Sequence, residues 1–257
     1  MYICGLKMPQ RRPNHRTPTP LQPELPFRGN RGHGGLRAGA GRKPKHGIAG
    51  VAHDSRAALA ARFPAHVTWK LLRGLPRLRE ARVRKVLLAV FAACRAKHAA
   101  GTPSASRFRV THFAILNDHL HLLTEAADRP SLARGLQGLA IRIARALNRL
   151  WARRGAVFAD RYHDRILKTP REVRNALVYV LANGKKHAAT GREVRVAQPV
   201  DTFTSAPWFD GFRERERVSV RGLEGTPPPV TPPRTWLLTL GWRRHGLLSV
   251  HELPKTG

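Results

Sequence analysis

The chain has 257 residues, enough for one domain of ordinary size with tails or for two small ones. Lys and Arg number 47 against 16 Asp and Glu, a formal net charge of +31, and so large an imbalance implies a polyanionic partner. The basic residues run through the whole chain and no stretch of 18 apolar residues occurs, which favours nucleic acid over an anionic membrane.

Only two cysteines occur, Cys4 and Cys94, so neither a disulfide framework nor a paired-cysteine zinc site is available, and the chain reads as intracellular. The opening MYICGLKMPQRRPNHR lacks the apolar core of a signal peptide, and Met8 offers a second start. Residues 1–62 read as a basic disordered tail, with 12 Lys/Arg against two acidic residues and no apolar period. Its GRKPK, residues 41–45, is of the kind that lies along a minor groove; a solvated tail adding non-specific affinity is the plainer reading.

Regular structure is expected from Phe63. AHVTWKLLRG reads as a strand with Val67, Trp69 and Leu71 alternating. Over 77–99 the positions Val83, Val86, Leu87, Val90 and Cys94 form the apolar side of a helix, with Arg79, Arg82, Arg84 and Lys85 opposite. RFRVTHFAILND predicts a strand with Phe108, Val110 and His112 on one face and Arg107, Arg109 and Thr111 on the other. A turn at Asn117-Asp118 leads into the strand HLHLLTEA, making a hairpin. Ser131 is the expected cap of a long helix with Leu132, Leu136, Leu139, Ile143, Leu147 and Leu150 in one stripe, ended by Gly155. VFADRYHDRILKT reads as a fourth strand, and Thr169-Pro170 opens the helix PREVRNALVYVLANGKKH. This order predicts an α+β, ferredoxin-like split βαβ sandwich: a four-stranded antiparallel sheet with two helices on one face, plus a further C-terminal helix. The domain spans 63–190. Residues 191–257, with the Pro-rich joint GTPPPVTPP, read as a basic extension appended to it.

Two patterns could carry chemistry. His119 and His121 in NDHLHLLTEA would share one face of a strand while Leu120 and Leu122 face a core. With 13 histidines in the chain such a pair also arises by chance, as two satisfied surface rings. Asn175, Tyr179, Asn183 and His187 recur every fourth residue on the last helix, opposite Val173, Ala176, Leu177, Val180 and Leu181. A phenol oxygen can act as a nucleophile, and an amide oxygen can complete a metal site begun by two imidazoles. Each has a plainer role: Tyr179 packed on the sheet edge, Asn183 beginning a helix C-cap with Gly184. Tyr162 is the rival nucleophile, read as site-lining or structural. His163 and His187 are possible further ligands, His112 a packing residue and Glu125 a solvated strand-end carboxylate. Trp208, Trp236 and Trp242 could stack on bases or pack in the core.

PAHVTWKLLRGLPRLR, NDHLHLLTEA and VFADRYHDRILKTPREVRNALVYVLANGKKH together resemble the single-tyrosine HUH transposases, and more closely the REP-associated tyrosine transposases, which are similar to insertion-sequence-200-like enzymes. The resemblance runs from about Phe63 to His187 and returns loosely in WFDGF and TWLLTLGWRRHG. It implies a transposase-like endonuclease and strand transferase acting on single-stranded DNA folded into hairpins, in the bacterial cytoplasm with the nucleoid. Tyr179 would be the nucleophile, and His119, His121 and Asn183 the ligands of Mg²⁺ or Mn²⁺. The enzyme would act as a monomer or a homodimer. Asp118 departs from the pattern, where Asn commonly precedes the first histidine. The alternatives are a hairpin-DNA-binding protein that does not cleave and an RNA-binding module of the same topology, whose sheet aromatics are missing here.

Overall fold

A strand that alternates side chains between two faces can serve two layers at once, and HLHLLTEA does so. A computed structural model describes residues 56–101, 107–189, 199–214, 223 and 225–254, with the backbone alone at 98, 99 and 185–189. The segment 1–55, with its GRKPK motif, lies outside the described residues. The elements are β1 (Ala65–Lys70), α1 (Ala81–Ala99), β2 (Phe108–Ile115), β3 (His119–Ala126), α2 (Arg129–Leu150), β4 (His163–Ile166) and α3 (Pro170–Ala189). The strands pair antiparallel in the order β2-β3-β1-β4, the ferredoxin-like arrangement expected of this α+β sequence. Among the described residues no helix is long and apolar enough to cross a membrane.

One face of the sheet carries Val67, Trp69, Phe113, Ile115, Leu120 and Leu122 against α1 and α2. From α2 come Leu132, Leu136, Leu139, Ile143 and Leu147, all at most 1% exposed. Each such side chain contributes about 1.5–3 kcal/mol on leaving water. The seam of α1 is Val83, Leu87 and Phe91, with Phe91 stacked on Phe113 at 4.9 Å between centroids. Val86, Val90 and Cys94, expected in that seam, are only half-buried.

Several boundaries differ from the sequence reading for local reasons. The cap of α2 is Asp128 rather than Ser131: its Oδ1 accepts the Ser131 N–H at 2.7 Å. The helix stops at Leu150, before Gly155, because Ala152 adopts a positive φ of 47°. The fourth strand shortens to four residues, preceded by one isolated bridge between Leu71 and Phe158. In β2 the expected alternation fails at a bulge between Val110 and His112, where Thr111 is the extra residue and its Oγ1 donates to the Leu123 carbonyl at 3.0 Å. Val110 therefore faces α1 and α2 while His112 faces the other way. Residues 56–62, placed in the tail by the sequence, lie against the domain: Leu59 is buried and Arg56 pairs with Asp164 at 2.8 Å.

The second face is covered by α3, which begins with a capping box. Thr169 Oγ1 accepts the Glu172 N–H at 3.2 Å and Glu172 Oε2 accepts the Thr169 N–H at 3.1 Å. Val173, Leu177, Val180 and Leu181 then pack with Ala114 and Leu123 of the sheet. Residues beyond 199 are no appendage: Val200, Ala206, Phe209, Phe212, Leu237, Leu238, Trp242, Leu248 and Val250 complete this second core. They also close the β2 edge, through Ile115 N–H to Phe203 O at 2.8 Å and Ser205 N–H to Phe113 O at 3.0 Å. Glu125 anchors them. It is 4% exposed rather than solvated, and its carboxylate accepts the N–H of Arg234 at 2.9 Å and of Thr235 at 2.7 Å.

Glu125→Ala should strand those two N–H groups and lower the unfolding free energy by about 2–4 kcal/mol in urea titrations. Trypsin should then cut first near Arg234, Arg243 and Arg244. A second expectation concerns acid. Burial holds the His112 ring, beside Phe209 and Ser205, down at about 4 against an ordinary 6.5. Between those values the unfolded chain takes a proton that the fold refuses, so stability is complete above 6.5 and falls by up to about 3 kcal/mol as pH drops toward 4. Paired carboxylates such as Glu172 and Glu252 shed stability only below their ordinary 4.5. His66 is held down to about 4 in the same way, so His112→Gln should remove about half of the pH dependence of the urea midpoint between 6.5 and 4.5 and His112→Gln with His66→Gln most of it.

Candidate active site

Cross-strand register decides what surrounds the two histidines. Thr68 stands opposite His121 and Lys70 opposite His119, so all four side chains leave the sheet on the α3 side, with His66 one step along. His119 is half-buried and its Nδ1 lies 2.7 Å from Asp118 Oδ1. The His119 and His121 rings are perpendicular, 4.7 Å apart. His121 is 4% exposed, with Nδ1 3.0 Å from Thr68 Oγ1 and 3.2 Å from His66 Nε2. Burial, and then the charge of Arg165, push His66 down to about 4, so its ring is neutral at pH 7.

The helix supplies the other side. Four residues turn an α-helix about 40° past a full circle, so the stripe rotates toward the sheet as it advances. Asn175 is exposed, Tyr179 half-buried and Asn183 fully buried. The Tyr179 ring meets His121 edge-on at 5.0 Å and His66 at 5.6 Å between centroids. Asn183, about 6 Å further along the axis, has no hydrogen-bond partner for either amide atom among the described residues. It is no C-cap, since α3 runs on to Ala189. Gly184 serves close approach instead: a Cβ there would stand 1.8 Å from Asp201 Oδ2, which pairs with Arg79 at 2.8 Å. Arg79 also donates to the Ile115 carbonyl, so this part of α3 lies over the end of the sheet where β2 turns into β3.

Other candidates fall elsewhere. Tyr162 is on the opposite face of the sheet, its ring edge-on to Trp69 at 6.2 Å and covered by Arg56 at 3.7 Å. His163 is exposed on β4 opposite Thr68, two strands and about 10 Å from His121. The His187 side chain lies outside the described residues. His112 packs, as expected. Trp242 is core at 1% exposed, Trp208 donates Nε1–H to Thr226 O, and Trp236 is 46% exposed beneath Arg244. His66 and Thr68 were missed as neighbours of the site. The alternation of AHVT, with Val67 in the core, was the signal that could have found them.

The donor set fits a divalent cation. Two imidazoles share one strand face, and the buried Asn183 amide, on the helix that covers that face, has no hydrogen-bond partner among the described residues, a condition that costs about 1–3 kcal/mol. Among the described residues no three His, Cys, Asp or Glu side chains form such a site by themselves, so an ion here needs a donor of another kind, and an amide oxygen is one. His119 Nδ1 bound to a carboxylate is the outer-shell arrangement common to metal-ligating histidines.

No protein-family model and no curated protein matches the chain. Among solved structures, a REP-associated tyrosine transposase bound to a REP hairpin is similar at 12% identity, over 60% of this chain and 82% of that one, with a TM-score of 0.43.

If Asn183 is kept for a ligand rather than for the fold, Asn183→Leu should leave the metal-free protein as stable or raise its unfolding free energy by about 1–2 kcal/mol. It should also abolish stabilisation by Mn²⁺. Thermal melts with EDTA and with Mn²⁺ check both; a large loss of stability in EDTA would mean that the amide is structural.

Proposed function

We propose that the protein is a single-stranded DNA endonuclease and strand transferase of the tyrosine HUH type, acting on hairpin DNA. The observation that carries this reading is Tyr179 edge-on to His121 at 5.0 Å, with the unpartnered Asn183 amide one turn further along the same helix. His119, His121 and Asn183 would hold Mg²⁺ or Mn²⁺. When bound, the ion stabilises the charge that builds on a scissile phosphate.

The chain's own residues do the rest. The Tyr179 oxygen attacks phosphorus, the bond to the 3′ oxygen breaks, and the phenolic proton is lost while the 3′ oxygen gains one. The products are a 5′-phosphotyrosine and a free 3′-hydroxyl. The phosphodiester count is conserved, so a different 3′-hydroxyl can reverse the step and join strands without an energy source. The apolar packing of α3 restricts Tyr179 to a narrow approach, which supplies orientation. Exposed Lys70, and Arg165 across from His66, stand on the same face and can hold flanking phosphates, consistent with a net charge of +31.

With Mn²⁺ and a labelled hairpin carrying single-stranded flanks, the wild-type chain should form a denaturant-resistant adduct with the fragment 3′ of the cut, through its 5′ phosphate. Tyr179→Phe should bind the hairpin as well and form no adduct, and Tyr162→Phe should form it normally. A non-cleaving hairpin-binding protein would give binding without adduct in all three. Peptide mapping that placed the nucleotide on Tyr162 would overturn the assignment.

A further inference from the structure

Neutral imidazole offers a lone pair on one nitrogen only, and in water it prefers to keep its proton on Nε2. A histidine that must present Nε2 therefore needs its proton held on Nδ1. At His119 this is dictated by the partner. A carboxylate can only accept, so at 2.7 Å from Asp118 Oδ1 the His119 Nδ1 is the donor and Nε2 carries the lone pair. At His121 the same nitrogen is engaged from β1, by Thr68 Oγ1 at 3.0 Å, which can accept, and by His66 Nε2 at 3.2 Å, which accepts when His66 carries its own proton on Nδ1.

We propose that Asp118, Thr68 and His66 are positioning residues that lock the proton of both imidazoles on Nδ1, so that His119 and His121 present Nε2 to the same cation. The inference rests on the metal-binding reading of the pair. It assigns a role to the residue that departs from the family pattern: Asp118 is a stronger acceptor than an amide and grips His119 from its own chain neighbour. The two clamps come from different elements. Asp118 ends the β2–β3 turn, whereas Thr68 and His66 are fixed by the β1–β3 ladder at the positions opposite His121 and Leu123. The orientation of the pair is thus set before any ligand arrives, and the cost of fixing two rings is met during folding rather than on binding.

The test reads the tautomers directly. In full-length protein labelled with ¹⁵N-histidine, free of metal at pH 7.5, two-bond ¹H–¹⁵N spectra distinguish Nδ1–H from Nε2–H, with His119→Gln and His121→Gln assigning the signals. Both rings should be Nδ1–H in the wild type. Asp118→Ala should move His119 toward Nε2–H, and Thr68→Val or His66→Phe should do so for His121. Asp118→Asn and Thr68→Ser, which keep an acceptor, should retain the wild-type pattern. Mn²⁺ affinity, followed by electron paramagnetic resonance of the free ion, should weaken about 10–100-fold in the first three variants and little in the last two. Rings found as Nε2–H in the wild type, or tautomers unmoved by Asp118→Ala and Thr68→Val, would overturn the proposal. Nδ1–H rings in a wild-type protein that takes up no Mn²⁺ would uphold the clamp and remove the metal reading instead.

Discussion

The strict alternation of β3 is the constraint on which the other parts depend. Leu120 and Leu122 bind the sheet to α1 and α2, while His119, His121, Leu123 and Glu125 leave from the opposite side. On that side the strand changes purpose along its length. The two histidines lie near the β2–β3 turn, Leu123 seats α3, and Glu125 holds the segment that follows Pro233. A period of two cannot serve one layer without fixing the other, so core, site and C-terminal anchor share one register.

Burial on both sides makes the site stiff. An exposed α3 would let Tyr179 swing away from the rings, but Leu177, Val180 and Leu181 press it on the sheet while Phe209, Phe212 and Trp242 pack in the same core. Arg79 and Asp201 add an ion pair that fits only because residue 184 has no side chain. Breaking such a buried pair costs about 3–5 kcal/mol, so the surface against which Gly184 packs is itself firmly held. Rigidity of this kind suits chemistry in which one oxygen must meet one phosphorus in line.

Much of this was legible in the sequence because it is local. The pairing of His119 with His121, the stripe from Tyr179 to Asn183 and the antiparallel sheet order follow from periods of two and four, and the capping box at Thr169 from a four-residue pattern. What escaped is non-local. No signal near Glu125 announces that its partners are Arg234 and Thr235, more than 100 residues later. The C-terminal layer has no period because it is built of turns, one-turn helices and prolines, and its apolar residues make sense only over a sheet face that α3 leaves partly open. Gly184 left a false alternative open: a glycine near the end of an apolar pattern can read as a helix stop, whereas here it makes room for Asp201. The cap alternative for Asn183 falls with it, and the residue is a buried amide.

The bulge at Thr111 changes what kinds of mutation β2 and its neighbour β3 can absorb. Ahead of it Arg109 pairs with Glu125 on the α3 side, and beyond it His112 and Ala114 occupy that side, so one inserted residue exchanges the faces of β2 midway. A strand that already carries one parity change has a place where length variation can be taken up without moving Phe113 or Ile115 out of the core. β3 has no such joint between His119 and Glu125. A single insertion or deletion there would put the residues on one side of it onto the wrong face, turning leucines toward Tyr179 or an imidazole among the leucines of α2. Sequence divergence in this protein can therefore change the identity of residues along β3 at many positions, but its spacing at none.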